Sequence, residues 1–219
     1  MKHTYVFGVD EAGRGPLAGP VAVGVVLVPV GFDWGLIPGV NDSKKLTEGK
    51  REVIFLEAKK LQKTGQLDYA VGLVSAKVID KKGIVPAINT AMERALRRVS
   101  SRFDLELGDL GDFYTDVSVK LDGGLRAPEQ YMHQETIIKG DGKEKVIGLA
   151  SIMAKVTRDR YMRRRATLAA YQQYCFAIHK GYGTKAHREA IAKHGLSPEH
   201  RATFCRNIKS VVCYISQSS

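Results

Sequence analysis

Cysteine is scarce in this chain. Three residues in 219, Cys175, Cys205 and Cys213, are odd in number and far apart. That pattern fits neither a disulfide framework nor a cysteine-based zinc site, so free thiols in a reducing compartment are expected. Long apolar runs are also missing. The longest, residues 21–30, contains Gly24 and Pro29 and falls well short of the ~20 apolar residues that cross a bilayer as a helix. The first ten residues lack a basic start followed by an apolar stretch, so no secretory leader is expected. There is no internal repeat, low-complexity tract or long linker. A cytoplasmic protein with no membrane anchor is the expectation.

Acidic residues are in deficit. Asp and Glu number 23 against 34 Lys and Arg, a net charge of +11. A surplus of this size calls for a polyanionic partner, with nucleic acid first in line. No polybasic amphipathic helix points instead to a membrane surface. The chain is otherwise ordinary for a folded protein, with 44% hydrophobic and 26% charged residues. Its length suits one domain with a sizeable core, or a domain with a small appendage.

Residues 5–9 form an apolar run that stops at Asp10-Glu11 and reads as a buried strand. Residues 12–20 hold three glycines and two prolines and read as a loop. Residues 21–28, rich in valine, read as a second strand. Thr47 can cap a helix that carries Ile54, Ala58 and Leu61 on one face and stops near Gly65. Residues 67–74 read as a third strand. A helix begins at Pro86, with Ile88, Met92, Ala95, Leu96 and Val99 as its stripe. Alternation from Phe113 to Leu121 marks a fourth strand, ending at Asp122. Residues 135–138 make a fifth, running into Lys139-Gly140-Asp141. A helix starts at about Leu149 and continues through a basic stretch to about Ala170. Another runs from Thr184 to Gly195, and Ser197-Pro198 begins a further helical turn. The string reads β-β-β-α-β-α-β-α with an early helix before the third strand, which is an α/β domain with a helical C-terminal extension.

Asp10 and Glu11, Asp122, and Asp141 each stand where a strand breaks into a glycine-containing turn. If strands one, four and five are parallel, their carboxyl ends meet at one edge, where open α/β sheets bind ligands. Four crowded carboxylates repel one another unless a cation lies among them. Oxygen donors suit magnesium or manganese. Acidic residues also sit in turns and cap helices for purely structural reasons, and either reading is open for any one of them. His179, His187 and His194 have no metal-binding spacing and no cysteine partners, so zinc is not expected.

Asp10-Glu11-Ala12-Gly13-Arg14-Gly15-Pro16 resembles the opening signature of the ribonuclease HII family. The likeness continues, in the family's order, through Asn41-Asp42-Ser43-Lys44-Lys45-Leu46, Leu121-Asp122-Gly123-Gly124, Lys139-Gly140-Asp141, residues 150–159, and His179-Lys180-Gly181-Tyr182-Gly183-Thr184 with His187. It spans about residues 5–207 and is similar to the bacterial branch. It implies a ribonuclease H-like fold: a five-stranded mixed sheet flanked by helices, with a catalytic domain over 1–170 and a small helical C-terminal extension over 171–219.

The resemblance also implies roles. Asp10, Glu11, Asp122 and Asp141 match catalytic acids that hold two Mg2+ or Mn2+ ions. Gly13, Arg14 and Gly15 match a loop that senses the ribose 2′-hydroxyl at an RNA–DNA junction, and Tyr182 matches an aromatic residue that packs on the adjoining deoxyribose. The implied activity is endonucleolytic hydrolysis of RNA in RNA/DNA hybrids and cleavage 5′ of a single ribonucleotide in duplex DNA, leaving a 3′-hydroxyl and a 5′-phosphate. These roles are physically reasonable, since only the 2′-hydroxyl marks a ribonucleotide and glycine lets backbone approach a sugar.

Asn41, Ser43, Lys44 and Lys45 form a polar, basic loop suited to phosphate contact. The dense basic stretch Lys155, Arg158, Arg160, Arg163, Arg164 and Arg165 either tracks the nucleic-acid backbone or solvates its helix, and Asp159 reads as structural. A ribonuclease HIII-like hybrid nuclease and a non-catalytic basic binding protein are the alternatives. A monomer with no obligate protein partner is expected. The segment 108–120 is more polar than the strand before the third acid should be, and the tail 208–219 matches nothing.

Overall fold

The computed structural model describes residues 4–103 and 114–208. Strands β1 (Tyr5–Ala12), β2 (Val21–Pro29), β3 (Asp68–Val74), β4 (Tyr114–Asp122) and β5 (Tyr131–Ile137) make one sheet in the order β3-β2-β1-β4-β5. The β1–β2 and β2–β3 pairs are antiparallel, and β1–β4 and β4–β5 are parallel. The sheet is therefore mixed, and β1, β4 and β5 all end at the same edge.

The valine run explains why β2 is buried on both sides. Side chains alternate across a strand. Val21, Val23, Val25 and Leu27 face one core, and Val26 and Val28 the other. The first core is closed by α3 (Ile84–Arg102), with the stripe Ala87, Ile88, Ala91, Met92, Ala95, Leu96 and Val99. The second is closed by α1 (Glu48–Lys63) and α4 (Lys145–Ala166). Helix α4 lies close on β1 and β2 because glycines receive it. A Cβ at Gly24 would stand 2.1 Å from the Ala150 carbonyl oxygen, and one at Gly8 would stand 2.3 Å from that of Val146.

Several boundaries differ from those expected. Helix α2 (Ala76–Lys82) has too little apolar periodicity to stand out in the sequence. Helix α3 starts at Ile84, just after Gly83, whose φ of 87° ends α2. Strand β5 begins at Tyr131, earlier than residue 135, because an edge strand shows only a weak apolar pattern. Residues 123–130 contain turns and no helix, so the helix placed between the last two strands is absent. Helix α4 starts four residues before Leu149 and ends at Ala166. Ser197-Pro198 opens a turn closed by His200 N–H on the Ser197 carbonyl, not a helix. The caps Thr47 and Thr184 are as expected, accepting from Lys50 and His187 backbone N–H.

In β4, Val117, Val119 and Leu121 are buried while Asp116 is exposed, and Lys120 pairs with Glu144 at 2.9 Å. The polar face expected there is present; residues 108–113 lie outside the described residues, as do 209–219 of the tail. After α4 the chain forms α5 (Phe176–His179) and α6 (Lys185–His194). Tyr174 and Phe176 pack with Met162 of α4 and with Ala18 of the loop after β1. The C-terminal segment is thus built directly against residues 13–20.

Candidate active site

Parallel pairing of β1, β4 and β5 gathers the acids. Asp10 and Glu11 stand at the end of β1 and Asp122 closes β4. Asp141 sits in a single helical turn, Gly140–Gly142, just beyond β5, which Lys139 enters through a left-handed φ of 55°. Asp122 Oδ1 accepts the Gly140 N–H at 2.6 Å, tying the third acid to the turn that carries the fourth. Asp10 is 4% and Asp141 6% exposed.

This burial has an electrostatic consequence. Loss of hydration pushes the Asp10 carboxyl up to about 8, with the charges of Asp122 and Glu11 adding to the rise. A hydrogen bond from Ser151 and the Glu11 N–H, at 2.7 Å from Oδ1, work the other way. Glu11 is raised by burial and relieved by Arg14, whose Nε lies 3.4 Å away. Asp141 is raised by burial and then by Asp42 and Asp122, with Lys44 opposing at 3.9 Å. Groups that each resist ionisation beside one another are a site that gains from a cation. The donors are all oxygen, which fits magnesium or manganese in kind. Among the described residues, no three acid, histidine or cysteine groups are drawn together tightly enough to make a closed metal cage. The cluster is open.

The loop after residue 40 supplies charge and support. Lys44 and Lys45 point outward, with Lys45 Nζ 3.9 Å from Asp42. Asn41 Oδ1 accepts the Asp42 N–H, and Asp42 Oδ1 that of Lys44. Ser43 is 4% exposed and hydrogen-bonds Ser151 at 2.8 Å. Its hydroxyl is thus engaged inside the protein, where it backs Ser151, which in turn bonds Asp10. Asp42 and Ser151 border the acid cluster, through Asp141 and Asp10 respectively, and sequence reasoning did not single them out. Both lie in motifs of the family resemblance, but neither ends a strand.

Gly13 has a φ of 89°, and Arg14 is exposed beyond it. Open space surrounds the position of a Cβ at Gly15. The Tyr182 ring is 42% exposed, with Lys155 Nζ 5.5 Å and Arg158 Cζ 5.6 Å from its centre. The two segments are joined, because the Leu17 and Ala18 N–H groups donate to the Gly181 carbonyl at 2.9 and 3.2 Å.

Most of the basic stretch on α4 is engaged internally. Arg160 pairs with Glu52, Arg163 with Glu48 and Glu52, and Arg165 with Glu199. Lys155 pairs with Asp159 at 2.8 Å. Arg158 is fully buried, and Arg164 is exposed. The histidines of the C-terminal segment are engaged within the protein. His179, His187 and His200 are bound to one another or to backbone, and His194 lies edge-on to Tyr174. No helix among the described residues is long and apolar enough to cross a membrane.

The ribonuclease HII family model matches residues 7–207. A ribonuclease HII of Endomicrobium trichonymphae is 45% identical over 199 residues, 91% of this chain and 84% of that protein. One of Ruminiclostridium cellulolyticum is 44% identical over 203 residues, 93% of this chain and 71% of that protein. Among solved structures, ribonuclease H2 of Pyrococcus horikoshii superposes with a TM-score of 0.63 at 27% identity, covering 94% of this chain and 97% of that one. Bst-RNase HIII in complex with Mn2+ shares the fold, with a TM-score of 0.67 at 14% identity over 94% of this chain and 69% of that one. The architecture is accordingly that of the ribonuclease H-like fold, and this chain belongs to the ribonuclease HII family of endoribonucleases.

Proposed function

We propose that the enzyme hydrolyses RNA in RNA/DNA hybrids and cuts 5′ of a single ribonucleotide in duplex DNA, leaving a 3′-hydroxyl and a 5′-phosphate. The observation that carries this reading is the convergence of Asp10, Glu11, Asp122 and Asp141 at one sheet edge, beside a glycine loop hydrogen-bonded to the segment of an exposed tyrosine. A binding protein has no use for four mutually repelling acids, two of them, Asp10 and Asp141, buried.

The family is divalent-metal dependent, and the four acids are the residues that would hold two Mg2+ or Mn2+ ions. Bound there, such ions would supply activation of a water and charge stabilisation of the leaving oxygen. The chain's own groups do the rest. Ser151, backed by Ser43, orients Asp10. Lys44, Lys45 and Arg14 offer exposed cations to flanking phosphates, and Asn41 presents an exposed amide beside them. Gly15 lets its backbone reach the 2′-hydroxyl without a side chain in the way. Tyr182 offers a ring face to the adjoining sugar. All these groups come from one chain, so a monomer suffices.

The test is incubation with a duplex carrying one ribonucleotide and with a continuous hybrid, each with and without Mg2+. Metal-dependent cutting 5′ of the single ribonucleotide is expected. Cutting of the hybrid alone would favour a ribonuclease HIII-like activity, and no cutting of either would favour a binding protein.

A further inference from the structure

Two arginines lie beneath the glycine loop with none of their surface exposed: Arg158 on α4 and Arg201 in the C-terminal segment. Such groups are almost never buried unless paired. Among the described residues, neither makes an ion pair, and each instead spreads its planar head over three backbone carbonyls. Arg201 Nη2 donates to Gly13 at 2.7 Å, Nη1 to Arg14 at 2.9 Å and Nε to Gly19 at 3.0 Å. Arg158 Nε donates to Pro20 at 2.9 Å, Nη2 to Ala18 at 3.0 Å and Nη1 to Lys180 at 3.0 Å.

The loop is fitted to these heads. A Cβ at Gly13 would stand 2.1 Å from Arg158 Nε, and one at Gly181 would stand 2.4 Å from the Ala18 oxygen. Burial and the charge of Arg158 press Arg201 down to about 9. Two like charges held together in a buried place, against that tendency, need a reason beyond packing. Two of the carbonyls they hold, Gly13 and Arg14, belong to the glycine loop, three, Ala18, Gly19 and Pro20, to the stretch that follows it, and one, Lys180, to the segment leading into Tyr182. None of the six bonds reaches a residue of the acid cluster.

We propose that Arg158 and Arg201 are positioning residues for substrate discrimination, fixing the backbone of Gly13-Arg14-Gly15 and the Tyr182 segment in one register so that both meet the same sugar step. The inference rests on the reading of these segments as sugar sensors. It assigns the two guanidinium groups to selectivity and leaves the hydrolytic step to the acids. Lysine keeps the charge but cannot span three carbonyls in a fixed plane. A lysine at either position therefore leaves the loops free to shift by fractions of an ångström.

The experiment compares wild type, Arg201→Lys, Arg158→Lys and Tyr182→Ala. Each full-length protein is assayed with Mg2+ for kcat/KM on the single-ribonucleotide duplex and on the continuous hybrid, with thermal melting alongside. For each lysine variant, the ratio of the first efficiency to the second should fall about tenfold while hybrid cleavage stays within about threefold of wild type. Tyr182→Ala should lower the same ratio. If Tyr182→Ala lowers the ratio and both lysine variants lose equally on the two substrates, the arginines are plain structural supports and the inference is overturned. Failure of both lysine variants to fold would overturn it as well. If Tyr182→Ala itself leaves the ratio unchanged, the sensing reading fails and takes the inference with it.

Discussion

His187 Nε2 and His200 Nε2 face each other at 3.1 Å inside the protein, with 0% and 4% of these residues exposed. Their outer nitrogens settle which one carries the shared proton. The Ser197 N–H must donate to His200 Nδ1, and the Tyr182 carbonyl must accept from His187 Nδ1. His200 Nε2 then donates and His187 Nε2 accepts, with both rings neutral. A second proton would set two N–H groups against each other. Burial, reinforced by neighbouring imidazoles, presses both rings down to about 4.

A pH dependence of known sign follows. Each ring binds its proton more weakly folded than unfolded, so its contribution to stability is complete above about pH 6.5 and is lost as pH falls toward about 4. Asp10, Glu11 and Asp141, raised by burial, act in the opposite sense. The quantity to read is therefore the unfolding free energy of wild type minus that of His187→Gln, from urea titrations between about pH 4 and 8. That difference should be largest near neutrality and shrink steadily below about pH 6.5. A difference independent of pH would mean that His187 is not held neutral.

The acids make a sharper prediction. Asp122→Asn and Asp141→Asn keep shape, and the amide oxygen that Asp122→Asn introduces can still accept from the Gly140 N–H, but each change removes a charge needed to hold an ion. Cleavage of the single-ribonucleotide duplex should fall by about two orders of magnitude or more in each, with duplex binding nearly intact. A rate within about threefold of wild type would show the residue misassigned. In EDTA, Asp141→Asn should melt higher than wild type, because it relieves the repulsion with Asp122 and Asp42.

The sequence made the sheet and the acids legible for the same reason. Asp10, Glu11 and Asp122 end patterned apolar strands, and Asp141 follows a short one in a turn flanked by glycines; such local patterns survive without tertiary information. Helix α2, the start of β5 and the supporting residues Ser151, Arg158, Arg201 and His200 were not legible in these roles. Their parts depend on contacts across great sequence separation, such as Arg201 with Gly13 and Ser43 with Ser151. Arg158 and Arg163 illustrate the limit. In sequence they belong to one basic run, yet one is buried under a loop and the other pairs with α1.

That division sets the expected salt dependence. Affinity for duplex, measured with Asp141→Asn to prevent cutting, should fall steeply with salt, by about 0.9 in log affinity per log salt for each phosphate contacted. Lys44 and Lys45 are exposed cations, so Lys44→Ala and Lys45→Ala should each flatten the slope by up to about that amount. Arg160 is held by Glu52, and Arg160→Ala should leave the slope unchanged. An equal effect of all three would return the nucleic-acid track to α4.

Gly13 and Gly15 separate folding from recognition. Gly13 sits at a φ of 89°, and a Cβ there would meet both Arg158 Nε and, at 3.0 Å, the Pro20 oxygen. Gly13→Ala must therefore strain the backbone and displace a buried guanidinium, at a cost of about 1–3 kcal/mol or more. Its Tm should drop by several degrees, and its activity should fall on every substrate. Gly15 has neither constraint: no atom lies within 4 Å of its would-be Cβ, and its φ is not in the left-handed region. Gly15→Ala should melt within about a degree or two of wild type, since surface changes away from such features stay near ±0.5 kcal/mol. What that methyl group does meet is any sugar brought against the loop. Cleavage of the single-ribonucleotide duplex by Gly15→Ala should fall about tenfold or more, since a displacement near 1 Å is enough to disturb a reacting geometry. The paired measurements are a melting curve and kcat/KM for both variants. Full activity in Gly15→Ala would mean that the substrate does not approach the backbone at this residue. A large loss of Tm would mean that the loop packs more tightly there than the open space around Gly15 allows.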